Sequence, residues 1–201
     1  MDEVQTHTQN GIKTADIISL NQSESLQWFV MRDLKRSNAK LPAYKLLESM
    51  GIETFTPMVW KLSVKHGKRC REKVPFMQDM LFVHDIRQNI DPIVEKFNTL
   101  QYRYARGGYH IPMTVRDADM NRFIRAVKSA ENTCYYTPDE VSSDMIGKRV
   151  RIIGGVLDGY EGYLQKLQGA RVKRLFVELP GLLTASVEVQ PEYIQLVKNE
   201  K

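Results

Sequence analysis

Gly147-Lys-Arg-Val-Arg-Ile-Ile-Gly-Gly-Val-Leu-Asp-Gly-Tyr-Glu-Gly-Tyr-Leu164 sets two short runs of β-forming residues on either side of a glycine-rich turn. Val150, Ile152 and Tyr163 suit half-buried strands, while Gly154, Gly155, Gly159 and Gly162 supply positions of positive φ or close approach. Strands are predicted at Val150–Ile153, Tyr163–Leu167, Val172–Glu178, Ala185–Val189 and Ile194–Val197, with Gly169 and Gly181 in two of the turns. Five short strands within roughly fifty residues imply a small SH3-like β-barrel, residues 147–201.

Outward from that barrel towards the N-terminus, residues 129–146 contain Ser129, Pro138, Ser142 and Ser143 without periodicity and read as a linker. Residues 26–128 then read as a separate domain. Its predicted elements begin with a buried strand at Gln27–Met31, followed by a helix at Leu41–Met50 with Pro42 in its first turn and Gly51 past its end. A strand at Ile52–Pro57 leads to a hairpin in which Trp60, Leu62 and Val64 alternate with Lys61, Ser63 and Lys65, turn at His66-Gly67 and return through Lys68–Val74. An apolar strand at Met80–Val83 follows, then a helix capped by Asn89 with Pro92 in its first turn and Ile90, Ile93, Val94 and Phe97 on one face. A strand at Tyr102–Tyr104 and a helix at Asp117–Val127, striped by Met120, Phe123, Ile124 and Val127, complete the domain. The order implies an α+β sandwich, with helices covering a mostly antiparallel sheet. Residues 1–25 are polar and aperiodic and read as a loose tail.

The 201 residues suffice for one medium and one small domain, and 42% hydrophobic against 26% charged residues is the balance of a soluble globular chain. Charge is concentrated. Lys61, Lys65, Lys68, Arg69, Arg71 and Lys73 stand against Glu72 alone, an excess equal to the net charge of the whole chain, +5. A basic hairpin can follow a phosphate backbone, because same-face residues on a strand project about 7 Å apart. A solvated arm that protects a sheet edge is the competing reading.

Catalysis finds little support. His7, His66, His84 and His110 are scattered, and no nucleophile, acid and base form a recognisable motif. The glycine-rich turn lacks the Gly-Lys-Ser/Thr ending and following helix of a phosphate loop. Cys70 and Cys134 have no CxxC or histidine at ligand spacing, so neither a disulfide framework nor a zinc site is indicated, and no cofactor is expected. Met1-Asp-Glu-Val lacks the features of a signal peptide and no stretch is apolar enough to span a membrane, which points to a cytoplasmic protein without membrane partners.

Trp28-Phe-Val30, Gly51-Ile-Glu-Thr-Phe-Thr-Pro57, the basic hairpin, Leu81-Phe-Val83 and, in the barrel, Gly147-Lys-Arg-Val-Arg-Ile152, Gly155-Val-Leu-Asp-Gly159 and Gly162 together resemble the NusG family of transcription factors over about residues 27–198. The resemblance pairs a NusG N-terminal (NGN) domain with a KOW domain. Where general NusG proteins carry Pro-Gly-Tyr before Leu-Phe-Val, this chain has Gln78-Asp79-Met80, and with the long tail this resembles specialised paralogues such as RfaH or the UpxY group of capsular polysaccharide operons.

The resemblance implies transcription antitermination or elongation through binding of RNA polymerase, at the clamp helices of its largest subunit. The matching apolar positions are Phe55, Pro57, Met58, Met80 and Phe82, supported by Trp28; from the residues alone, Trp28 and Phe82 suit a core better than an exposed patch, Phe55 suits either and Met80 suits exposure. Lys65, Lys68, Arg69, Arg71 and Lys73, with Arg32 and Lys35, would face upstream or non-template DNA. Leu157 and Tyr160 match the KOW loop that meets a ribosomal protein or termination factor, and nascent RNA is a further expected partner. A general housekeeping NusG and a KOW-containing ribosome- or RNA-binding protein are the alternative readings.

Overall fold

Along β1 (Gln27–Asp33) successive side chains face opposite ways, and both faces are apolar: Trp28 and Val30 on one, Phe29 and Met31 on the other, all four buried. A strand of this kind needs cover on both sides. The computed structural model describes residues 25–35, 41–65, 67–77, 79–105, 107, 110–167, 169 and 172–197, so the predicted tail lies almost wholly outside the described residues, as does Gln78.

β1 pairs antiparallel with β5 (Leu81–Asp85), β6 (Leu100–Tyr102) and β7 (Thr114–Val115), and β5 pairs in turn with β2 (Glu53–Phe55). One face of this sheet, with Phe29, Met31, Leu81 and Val83, is covered by α1 (Ala43–Ser49) through Ala43 and Leu47 and by α2 (Arg87–Lys96) through Ile90. The other face, with Trp28, Val30 and Phe82, meets α3 (Asp117–Ser129). Helices thus cover both faces of an antiparallel sheet, the α+β arrangement that the element order implies.

The chain then builds a second sheet, all antiparallel, in the order β13-β9-β10-β11-β12-β8. Its strands are β8 (Cys134–Tyr136), β9 (Ile146–Ile152), β10 (Glu161–Gln165), β11 (Lys173–Leu179), β12 (Leu183–Val189) and β13 (Ile194–Leu196). The glycine-rich turn joins β9 to β10. At Gly162 an added Cβ would stand 2.6 Å from the Tyr160 ring and 3.0 Å from the Phe176 carbonyl oxygen, so the missing side chain is what lets that ring come close to the β10 backbone.

α3 lies between the two sheets, touching β1 on one side and β11 and β12 on the other. Met120, Phe123 and Ala126 are fully buried, and one apolar cluster runs from Trp28 and Phe82 through α3 to Val150, Leu175 and Val187. The Phe123 ring meets Phe55 edge-on at 6.1 Å and Tyr135 at 6.5 Å.

Several elements differ from the sequence expectation for identifiable reasons. α1 begins at Ala43, because Pro42 is extended and its cap comes from Asp33, whose carboxylate accepts the N–H groups of Lys35 (3.0 Å) and Ala43 (2.7 Å). α2 begins at Arg87 rather than after Asn89: Asp85 accepts from the Ile86 N–H at 2.7 Å and the Asn89 side chain at 2.8 Å, which leaves Pro92 inside the helix. Tyr104 is outside β6 and makes only an isolated bridge with Pro112. Within the predicted linker, Cys134–Tyr136 pairs with β12 as Cys134↔Ser186, Tyr135↔Ala185 and Tyr136↔Thr184. Arg174 secures this addition by donating to the Asn132 carbonyl (2.7 Å) and the Ser186 hydroxyl (2.9 Å).

Because Phe123 is packed from both sides, Phe123→Ala should lower stability by about 3–5 kcal/mol, the range for a buried phenylalanine. Urea unfolding of the variant would show it; a loss below about 1 kcal/mol would contradict the shared core.

Candidate nucleic-acid interface

β3 (Met58–Lys65) and β4 (Lys68–Pro75) form a two-stranded sheet of their own, closing at Gly67 with φ +75°, a conformation that suits glycine. Its register places Trp60 opposite Lys73, Leu62 opposite Arg71 and Val64 opposite Arg69. Directly opposed residues of an antiparallel pair share a face. Arg69, Arg71 and Lys73 therefore stand on the same face as Trp60, Leu62 and Val64. Lys61 opposes Glu72 on the reverse, Ser63 opposes Cys70, and Lys65 opposes Lys68 beside the turn.

All six residues of the mixed face are exposed, the apolar ones at Trp60 51%, Leu62 74% and Val64 70%. The Arg71 guanidinium lies 4.6 Å and the Lys73 ammonium 5.1 Å from the Trp60 ring centre, so the cations and the indole form one unit. The hairpin's one carboxylate, Glu72, is on the reverse face, opposite Lys61. Arg32 and Lys35 belong elsewhere: Arg32 is 3.7 Å from Asp79, and Lys35 donates to the Leu41 carbonyl at 2.8 Å.

The six positions matched to polymerase contact are not presented as an open patch. Trp28 (1% exposed), Pro57, Met80 and Phe82 are buried, and Phe55 and Met58 are half-buried. Trp28 stacks on His84 at 4.6 Å, and His84 Nδ1 is 2.8 Å from Glu53. Beside them Tyr135, carried in by β8, lies against Phe76 at 5.5 Å and Phe123 at 6.5 Å. Burial pushes its phenol up to about 12, against the opposing pull of a hydrogen bond with the Met58 backbone. Sequence reading missed Tyr135, whose pairing partner Ala185 is remote in the chain.

The two positions matched to KOW partners are also engaged within the molecule. Leu157 is only 8% exposed, and Tyr160 is half-buried, with the Arg122 guanidinium of α3 5.4 Å from its ring and its hydroxyl donating to the Phe176 carbonyl at 3.3 Å. Burial raises its phenol pKa, offset in part by a hydrogen bond with the Glu178 backbone and, less, by Arg122. The loop's solvent-facing apolar residues are instead Ile153 and Val156. Among the described residues no helix is long and apolar enough to cross a membrane, and no group of three or more His, Cys, Asp or Glu is placed to hold a metal.

Residues 26–124, from just before β1 into α3, match a family model described as "Transcription termination factor nusG". A solved structure described as "Domain interaction in Thermotoga maritima NusG" is similar, with a TM-score of 0.48 and 17% identity over 88% of this chain and 99% of that one. No curated protein sequence matched.

Tyr135 makes stability pH-dependent. An unfolded tyrosine ionises near ~10, so a folded phenol held near 12 contributes fully below pH 10 and loses that contribution as pH rises towards 12. Tyr135→Phe should therefore lose less stability than the wild type between pH 9 and pH 12, by on the order of 1–3 kcal/mol. Denaturant unfolding at the two pH values would measure it, and equal losses would contradict the assignment.

Proposed function

We propose that this protein is a member of the NusG family, whose model residues 26–124 match, and that it binds RNA polymerase and sustains elongation by suppressing pausing or termination. The family match over the first sheet and its helices carries the reading. NusG-family proteins are transcription factors rather than enzymes.

In this reading the polymerase contact is the largest subunit's clamp helices, met by Phe55, Pro57, Met58 and Met80 with Trp28 and Phe82 behind them. Burial of most of these residues adds a requirement: the Tyr135 cover has to move aside before the contact forms. The basic hairpin would lie towards upstream or non-template DNA, in keeping with its concentrated charge. The second sheet would act as a KOW domain for a ribosomal or termination partner. The departure at Gln78-Asp79-Met80 supports a specialised paralogue serving particular long operons, such as capsular polysaccharide loci.

Transcription in vitro across a terminator in a long operon's leader should show more readthrough or less pausing when the protein is added. Unchanged transcription on cognate and unrelated templates would count against the proposal. Tyr135→Ala, by loosening the cover, should strengthen binding to purified polymerase several-fold at matched protein concentration. Unaltered or weaker binding by the folded variant would remove the uncovering step.

A further inference from the structure

We infer that the Trp60 face of the hairpin is a binding site for an unpaired nucleic-acid strand, with one base stacked on the indole and neighbouring phosphates held by Arg69, Arg71 and Lys73. This deepens the reading of the hairpin given above and rests on it.

The first observation is the contrast between the chain's two tryptophans. Trp28 is buried and stacked on His84, whereas Trp60 is 51% exposed at the head of an apolar row that continues through Leu62 and Val64. Such a row facing water is unusual on a surface with no other use, and it lies beside cations rather than across the sheet from them. The second observation is spacing. Arg69, Arg71 and Lys73 alternate along β4, which puts neighbouring charges about 7 Å apart in a line, close to the step between phosphates in an extended strand. Adjacent strands are about 4.8 Å apart, so a backbone following the cation row brings its bases over the apolar row.

An aromatic platform beside a line of cations is how proteins hold single strands with little sequence preference. A duplex would use only half of this face, because its bases are already stacked on one another. An anionic membrane is the other occupant to weigh. It fits less well, because Arg71 and Lys73 lie over the indole itself and would enter the apolar layer with it.

The full-length protein would be titrated with a fluorescent dT oligonucleotide, an rU oligonucleotide of the same length, a DNA duplex and phosphatidylserine-containing vesicles, over a range of salt concentrations. Both single strands should bind at least about tenfold more tightly than the duplex, and the tighter of the two identifies the source as DNA or RNA. Trp60→Leu should weaken single-strand binding at least about fivefold with the salt dependence unchanged, and Trp60→Phe should restore part of it. Arg71→Gln with Lys73→Gln should instead flatten the log–log salt slope by about 0.7 per lost phosphate contact. Equal binding of duplex and single strands, an unaffected Trp60→Leu variant, or binding to vesicles without oligonucleotides would overturn the inference. Such a result with readthrough activity intact would leave the polymerase reading standing. Trp60-dependent strand binding without any effect on transcription would do the reverse.

Discussion

Everything in this fold depends on α3 being buried from two directions. A surface helix normally offers one apolar stripe to one core. Here Met120, Phe123 and Ala126 are all fully buried, with β1 on one side and β11 and β12 on the other. The two sheets consequently share a single apolar cluster, and the Arg122–Tyr160 contact fastens the helix to the glycine-rich turn at its edge. Burial of Trp28, Met80 and Phe82 follows from the same arrangement, as does the inward setting of Tyr160. What resembles a set of partner contacts in sequence is, in this conformation, the material that joins the halves.

Much of the framework was legible beforehand because its signals are local. The continuous apolar runs Trp28–Met31 and Leu81-Phe-Val83 give buried strands, the period of Met120 and Phe123 gives a helix, and His66-Gly67 gives a hairpin. β7 and β8 were not legible, since two or three residues cannot display a period and their pairing is decided by distant partners. α2 starts earlier than expected because Asp85, ahead of the helix, accepts from the Ile86 N–H and engages the Asn89 side chain that was expected to cap. Tyr135 was hidden in an apparently featureless linker. Its importance comes from Phe76, Phe123 and Met58, three neighbours contributed by different segments.

The hairpin was half legible. Alternation revealed two faces, and pairing Lys65 with Lys68 across a two-residue turn fixes every other pair in turn, so that Trp60 must oppose Lys73. Register sets the cations of β4 beside the apolar row of β3. This placement alters the chemistry, because a purely basic face offers only attraction to phosphates, whereas one that includes an exposed indole also offers a surface for a planar ring.

A face that doubles as core has an affinity set partly by the stability of its own cover. In the proposed reading, a partner would meet Phe55, Pro57, Met58 and Met80 only in molecules whose surrounding packing, Tyr135 against Phe76 and Phe123 included, has opened, and the apparent dissociation constant would be the intrinsic one divided by that open fraction. Each tenfold preference for the covered form, about 1.4 kcal/mol, raises the partner concentration needed for half-occupancy tenfold. The packing between the two sheets thus acts as a gain control, and small changes in a core ring retune it without touching a contact residue.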